Sequence, residues 1–412
     1  MEKTVKKKID YWYYLVIIIL ALGVYLYFAL NISLLVIKPN KNEYILSSQT
    51  APLSLNWPSY GESALSIDNG PILTNGAQTA IPTASTAKLI TALLVLKKYP
   101  LNLGQSGPEI TLTQADVNIL NYYQSSQGSV LNIYAGENLS ELQMLEAMLL
   151  PSANNIADSL AIWAYGSLSN YQTNANQFLA QNNLSSTHVG SDASGFDPST
   201  VSSASDLVQI AKIAYKNPVI ANIVGLKSVA GFPLVGSIKN LDFLLGQDGI
   251  LGIKTGNNNQ DMGVFVAVSE KQINAKNTFI YTSVMGAPNL WYAMNSSRLL
   301  IESAWNNFSE PISLSNLKLN SSLGTYKVIW NNQEVNATLS SLPNYLIWNG
   351  SKASIKVNLN NISFKTKKGQ VIGYLTINSD IPSTQKTLNL VLSNSIKKPP
   401  LWWLLLHPSY VL

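Results

Sequence analysis

Residues Tyr11 to Ile37 carry no formal charge, and the middle of the run reads LVIIILALGVYLYFAL. About 20 such residues suffice to cross a hydrocarbon layer of ~30 Å as a helix. Lys3, Lys6, Lys7 and Lys8 precede the run, which keeps a basic N-terminus in the cytoplasm. Trp12, Tyr13 and Tyr14 stand where an interfacial aromatic belt belongs. A cleaved signal peptide is the competing reading, but it needs a shorter apolar stretch and a small-residue cleavage site. No Ala-x-Ala follows, and the run continues through Leu34, Leu35, Val36 and Ile37. The expectation is a cytoplasmic tail over 1–10 and one uncleaved transmembrane anchor over 11–37. The rest of the chain then lies outside the membrane.

At 412 residues the chain exceeds one ordinary domain. Residues 38–50 read as a polar linker. Ala64–Ile67 and Pro71–Thr74 read as short strands around the turn Asp68-Asn69-Gly70. Thr86–Tyr99 reads as a helix, with Ala87, Leu89, Ile90, Leu93, Leu94 and Leu96 apolar and Pro100 as its stop. Ser140 and Gln143 have the spacing of a capping box, opening a helix that Pro151 ends. Further helices are expected over Asn155–Tyr165 and Asp206–Tyr215. Met262–Val268 and Thr278–Met285 read as an antiparallel strand pair. After Pro311 the texture becomes short strands and polar turns: Val328–Trp330, Ser354–Val357, Val371–Ile377 and Leu388–Leu392. The expected organisation is α+β: a mixed domain over 51–307, a small all-β domain over 311–395, and an apolar tail over 396–412. That tail is too short to span a bilayer as a helix. Trp402 and Trp403 either touch the membrane surface or pack on the β-domain.

Several chemistries are excluded. There is no cysteine, which removes disulfides, thiol catalysis and thiolate metal sites. His188 and His407 are the only histidines, too few for an imidazole zinc site. A Ser-His-Asp triad would have to use one of them, and His407 lies in the tail. Neither metal nor cofactor is expected. Charged residues are 12% and show no basic stripe with interleaved aromatics, so nucleic acid is not an expected partner.

Hydrolytic chemistry without histidine has a source at Ser85-Thr86-Ala87-Lys88. Residues three apart on a helix share a face, so Ser85 and Lys88 can meet. A serine hydroxyl is a weak nucleophile until a base takes its proton. A lysine amine becomes that base when burial disfavours its charge. A serine at a helix start also offers backbone N–H groups to a developing oxyanion. Ser152-Ala153-Asn154 follows the helix that Pro151 ends; its hydroxyl could relay a proton and its amide hold a substrate carbonyl. Lys254-Thr255-Gly256 precedes the strand at Met262. Its lysine and hydroxyl can grip a carboxylate, and its glycine lets a substrate backbone approach closely. Ser-x-x-Lys recurs at Ser315, Ser383 and Ser395, and Ser-x-Asn at Ser54, so each motif alone is weak. Lys-Thr-Gly occurs once, and order and context together carry the reading.

These three motifs in this order resemble the penicillin-recognising serine enzymes, and the flanking sequence resembles the low-molecular-mass D-alanyl-D-alanine carboxypeptidases. PTASTAKLITALLVL is similar to that family's nucleophile helix, LEAMLLPSANNIADSLA to its second motif, and GILGIKTGNNNQDMGVFVAVS to its third. FKTKKGQVIGYLTI resembles a strand pair of its C-terminal β-domain. The resemblance implies a β-lactamase/transpeptidase-like fold over 51–307: an antiparallel sheet with helices. It implies a peptidoglycan stem peptide ending in D-Ala-D-Ala as substrate and β-lactams as covalent inhibitors. Ser85 would be acylated, Lys88 would be its base, and Ser152 and Asn154 would complete the site. Lys254, Thr255 and Gly256 would bind substrate, and the N–H groups of Ser85 and Asn257 would form the oxyanion hole. After Lys-Thr-Gly the family usually has a Thr-x-x-Ala-Gly-like stretch, whereas here Asn257-Asn258-Asn259-Gln260-Asp261-Met262-Gly263 stands.

Three rivals share parts of this pattern. A D,D-endopeptidase uses the same residues. A class A-like β-lactamase needs a glutamate between the second and third motifs, and none occurs from Ala147 to Ser269. A catalytically silent wall-binding protein would not need Ser85, Lys88 and Lys254 intact. Asp158 and Asp206 read as helix-surface or capping residues, and His188 as structural.

Overall fold

The computed structural model describes residues 11–30, 36–46, 50–258, 262–310, 323–341 and 345–407. The expected tail over 1–10 and the texture change at Pro311 lie outside these residues. Helix α1 spans Tyr11–Leu30, is uncharged throughout, and has nearly every described side chain exposed. It is long and apolar enough to cross a membrane. The expected span to Ile37 is corrected at its end. Val36–Ile37 forms a short strand, β1, and Ile37 is buried in the core of the C-terminal sheet.

The segment read as a linker also contributes structure. Glu43–Leu46 is a strand, β2. Its ladder partners lie more than 300 residues away, a pairing that no local pattern can announce.

The body begins with β3 (Glu62–Ile67) and β4 (Leu73–Asn75), close to the expected strands. Helix α2 covers Lys88–Lys98 and is preceded by one 3₁₀ turn, Ala84–Ala87. Its residues from Lys88 to Leu96 are all buried, as expected of a helix surrounded by other elements. Helix α3 (Gln114–Ser125) follows, then α4 (Glu141–Leu149), α5 (Asn154–Tyr165) and α6 (Ala204–Tyr215). The Ser140–Gln143 capping box at α4 is formed. Strands β5 (Ile250–Asn258), β6 (Met262–Ile273) and β7 (Lys276–Ala287) complete an antiparallel sheet of order β5-β6-β7-β3-β4. Side chains alternate across it. Val264, Val266 and Val268 of β6 enter the core shared with α2 and α4–α6, while Phe265 and Ala267 face helix α7 (Leu290–Asn306). Strand β5 is an edge, and that edge faces the site.

Beyond α7, β8 (Phe308–Ser309) leads to β9 (Thr325–Lys327), β10 (Glu334–Leu339), β11 (Ile347–Trp348) and β12 (Ala353–Leu359). Then come β13 (Ile362–Ser363), β14 (Val371–Asp380) and β15 (Ser383–Leu392). The six-stranded sheet has the order β9-β10-β15-β14-β12-β2, and β1 pairs with β13. The expected strand Val328–Trp330 is instead a turn after β9, closed by Val328 N–H to Gln333 O and by Asn332 at φ 54°. The alternation survives there, with Val328 and Trp330 buried and Ile329 exposed.

The two sheets are stitched together. Trp348, 1% exposed, leaves the β-domain to join the core around α7 and donates its indole N–H to Ala304 O at 3.2 Å. A short helix, α8 (Leu401–Leu406), follows β15. Trp403 and Leu404 pack into the β-domain core beside Trp330, while Leu401, Trp402, Leu405 and Leu406 stay exposed. Of the two readings of the tail, packing on the β-domain holds for Trp403, and Trp402 is on the exposed face. The hydroxyl of Tyr25 in α1 donates to Leu404 O at 3.0 Å.

Candidate active site

Two tight turns and one edge strand bring the three motifs together. At the first, Ala84 adopts φ 45° and turns the chain into the 3₁₀ turn that carries Ser85. At the second, Ser152 has φ 66° as the chain passes from α4 to α5. A left-handed backbone costs a residue with a Cβ on the order of 1 kcal/mol. Hydrogen bonds hold it there: Ala153 N–H to Ala147 O and Asn154 N–H to Ser129 O. The third is edge strand β5, whose Gly256 lies against the serine turn. A Cβ on Gly256 would come within 3.2 Å of Ala84 Cβ and Thr83 O and 3.3 Å of Ser85 N. That is tighter than ordinary contact, so a side chain at Gly256 would need the serine turn to give by a few tenths of an ångström, and glycine lets the strand come up to it without that shift.

Lys88 Nζ lies 2.8 Å from Ser85 Oγ, 2.7 Å from Asn154 Oδ1 and 3.0 Å from Ser194 O. The lysine is fully buried, and burial, then the charge of Lys254, hold its amine well below the usual lysine range. A neutral amine has two N–H bonds and one lone pair. Asn154 Oδ1 and Ser194 O can only accept, so they take both N–H bonds. The lone pair is left for the Ser85 hydroxyl. With the amine neutral, the Ser85–Lys88 contact takes the polarity of a nucleophile with its base; with it charged, Lys88 donates to Ser85 Oγ.

Lys254, 1% exposed, donates to Ser152 Oγ and to Thr255 O, both at 3.0 Å. Burial lowers its pKa to about 7, opposed by the carboxylate of Asp242. Ser152 and Asn154 are each 3% exposed and Thr255 is 4% exposed, whereas Asn257 is open to solvent. Above them is a cleft of about 420 Å³ lined by Ser85, Asn154 and Asn257 on the motif side. Of the eight residues expected from sequence, Ser85, Asn154 and Asn257 line this cleft, Lys88 bonds with Ser85 and Asn154, Gly256 lies against Ser85, and Lys254 bonds with Ser152 and Thr255. Of the departing stretch after Lys-Thr-Gly, residues 259–261 lie outside the described residues.

The sequence reading missed the layer beneath. Asp158 is corrected from a surface residue to a buried one, 5% exposed, accepting from Tyr123 OH at 2.7 Å and Ala193 N–H at 2.8 Å. Burial and the nearby Asp192 raise its pKa to about 7. The signal was present: Asp158 is one turn after Asn154 on the same helix, so it shares the inward face. Asp192 accepts the backbone N–H groups of Ser194, Gly195, Phe196 and Asp197, which shapes the loop presenting Ser194 O to Lys88. Asp206 caps nothing; it accepts from Ser186 N–H and the Thr187 hydroxyl, bracing a loop outside the cleft. His188 makes a backbone bridge to Val201 and does not line the cleft.

An antiparallel sheet flanked by helices, with Ser-x-x-Lys, Ser-x-Asn and Lys-Thr-Gly converging on one cleft, defines a penicillin-recognising serine enzyme. Residues 61–289 match the D-alanyl-D-alanine carboxypeptidase family, and the chain belongs to that family. It is 31% identical over 213 residues to the D-alanyl-D-alanine carboxypeptidase DacB2 of Mycobacterium tuberculosis, covering 50% of this chain and 68% of that one. It is 28% identical over 201 residues to a D-alanyl-D-alanine carboxypeptidase of Streptomyces sp. strain K15, covering 45% and 67%. The fold is shared with the Streptomyces K15 DD-transpeptidase (TM-score 0.52, 22% identity, 63% of this chain and 99% of that one). It is also shared with penicillin binding protein 5 of Haemophilus influenzae (TM-score 0.55, 20% identity, 84% and 99%).

Proposed function

We propose that the chain removes the terminal D-alanine from peptidoglycan stem peptides through an acyl-enzyme on Ser85. The observation that carries this reading is the buried Lys88 amine, its pKa lowered by burial, 2.8 Å from Ser85 Oγ and flanked by the acceptors Asn154 Oδ1 and Ser194 O. In acylation, Ser85 Oγ bonds to the carbonyl carbon of the penultimate D-alanine and its proton passes to Lys88 Nζ. The carbonyl oxygen becomes an oxyanion facing the N–H groups of Ser85 and Asn257. Collapse breaks the C–N bond, and the leaving amine takes, through Ser152, the proton that Lys88 received, which returns Lys88 to its neutral form. Lys254 and Thr255 bind the terminal carboxylate. Water, deprotonated by Lys88, then cleaves the ester and regenerates Ser85. The diagnostic experiment is D-alanine release from a pentapeptide ending in D-Ala-D-Ala, compared with Ser85→Ala. Release by the intact chain and none by the variant is expected. Equal release from both would reject Ser85 as nucleophile.

A D,D-endopeptidase reading uses the same machinery and is separated by offering cross-linked dimers beside the pentapeptide. The proposed architecture assigns catalysis to 51–307, with 311–395 as an accessory β-domain. The length and composition of α1 support a single-pass anchor, and Lys3, Lys6, Lys7 and Lys8 before it support a body outside the cell. Protease added to intact spheroplasts should digest the body, and protection until lysis would reverse that topology.

A further inference from the structure

Helix α2 presents Lys88 at its first position and Lys97 and Lys98 in its last turn, about 15 Å further along the axis at ~1.5 Å per residue. A hollow of about 450 Å³ opens at that far end, lined from α2, from Tyr165 at the end of α5 and from the helix Leu168–Gln181. It shares no lining residue with the cleft over Ser85, and its lining includes no carboxylate. Lysines in a last turn complement the helix dipole, which by itself would aim them at the terminal carbonyls. Both lie instead over rings of neighbouring helices. Lys97 Nζ is 5.6 Å from the centroid of Phe178, and Lys98 Nζ is 4.8 Å from that of Tyr165. Tyr165 is itself pinned, its hydroxyl donating to Leu94 O at 2.9 Å. Both lysines are exposed, and neither makes an ion pair among the described residues. On the facing wall Asn170, Asn174, Gln177 and Gln181 fall at helical spacing along one face, all exposed. The amides of Gln177 and Gln181 have no hydrogen-bond partner among the described residues.

Two ammonium groups steadied on aromatic faces, free amides opposite and no acid between them suit an anionic chain that also carries amides and hydroxyls. In a protein with only 12% charged residues, such a pair of uncompensated cations is a local positive field. A wall strand repeats its peptide carboxylates, so a stem held in the cleft brings others within reach of the far end of α2. We propose that the Lys97–Lys98 hollow is a second binding site for the wall polymer, gripping carboxylates of stem peptides neighbouring the one in the cleft. This deepens the carboxypeptidase reading and rests on it for the identity of the polymer. Two linked contacts hold a strand more tightly than either alone, whereas a free peptide, reaching one site, gains nothing from the second.

The probe is pentapeptide-rich sacculi, stripped of phosphate-bearing polymers with hydrofluoric acid, offered to the full chain in detergent beside the soluble pentapeptide. In the double variant Lys97→Gln with Lys98→Gln, the apparent KM on sacculi should rise about fivefold, the combined effect of two exposed ion pairs. Its kcat/KM on the pentapeptide should stay within about twofold of the unaltered chain. Lys97→Arg with Lys98→Arg, which keeps both charges, should restore the KM on sacculi. Co-sedimentation with sacculi, measured after penicillin has blocked the cleft, should fall in the Gln variant and on sacculi whose carboxyls have been amidated. An unchanged KM on sacculi in the Gln variant, equal losses on both substrates, or undiminished sedimentation on amidated sacculi overturns the proposal and leaves the carboxypeptidase reading intact. Lysine-dependent sedimentation with no D-alanine released from either substrate supports the hollow as a wall-binding site and overturns the carboxypeptidase reading.

Discussion

Trp348 is the perturbation that separates support from chemistry. Its indole is 1% exposed, packed in the core around α7, and bonded to Ala304 O. Truncating a buried tryptophan to alanine costs about 3–5 kcal/mol in lost transfer and residual cavity. Ala304 O loses a partner as well, worth about 1 kcal/mol. Because these effects overlap, we expect about 4 kcal/mol for Trp348→Ala. For a body of this size each kcal/mol moves the midpoint by roughly 2–4 °C, so a fall of about 8–16 °C is expected. Trp348→Phe, which keeps most of the apolar area, should lose less than half as much. The assay is thermal inactivation read by residual D-alanine release, with calorimetry on the same samples. At 25 °C kcat/KM should stay within about twofold, because Trp348 lines no part of the cleft. A midpoint shift under about 2 °C would refute the packing role. Loss of activity in a protein still folded at 25 °C would refute the separation of support from catalysis.

Lys88→Ala should lose 10²–10⁴-fold in penicillin acylation, since a positioned base is removed; acylation within about threefold of the unaltered rate would exclude Lys88 as base. The pH profile of kcat/KM should be bell-shaped. Protonation of Lys88 silences it at the acid side, and Lys254, with a pKa of about 7, loses its charge and its grip on the carboxylate as pH rises. A peptide whose terminal carboxylate is esterified should lack the alkaline limb, and an unchanged limb would assign it to another group. The penicilloyl-enzyme should outlast the peptide acyl-enzyme, because the ring-opened leaving group stays tethered and no glutamate lies between the second and third motifs. Mass-spectrometric decay of both species at equal rates would favour a β-lactamase.

The catalytic motifs were legible because covalent spacing fixes their geometry. Ser85 and Lys88 are one helical turn apart; Lys-Thr-Gly, expected just before the strand at Met262, lies on the preceding strand β5. Asp158 was misread because a carboxylate in a helix is ordinarily solvated; its partner Tyr123 comes from α3, and no local period links the two. The role of β2 was hidden for a related reason. Four residues of strand can pair with any edge, and the edge that accepts them is set by the far end of the chain. Trp348 was read as part of the β-domain, yet its side chain serves the catalytic core, since a short strand pair at Phe308 brings the two layers into contact.

The pairing of β2 with β12 has a consequence for how the chain assembles. Tyr44 faces Val357, and Ile45 faces Lys356. The segment that follows α1 therefore waits for almost the last strands to be synthesised, on the order of tens of seconds at ~5–20 residues per second. Throughout that interval the catalytic body can form while the clasp beneath it is open. Once β12 arrives, the body becomes a loop whose two ends are held in one sheet. A single proteolytic nick between residues 50 and 61 would then leave it attached. The severed α1 segment would still be held by the β2 ladder and by Ile37 in the β-domain core, so release would require the sheet itself to unzip.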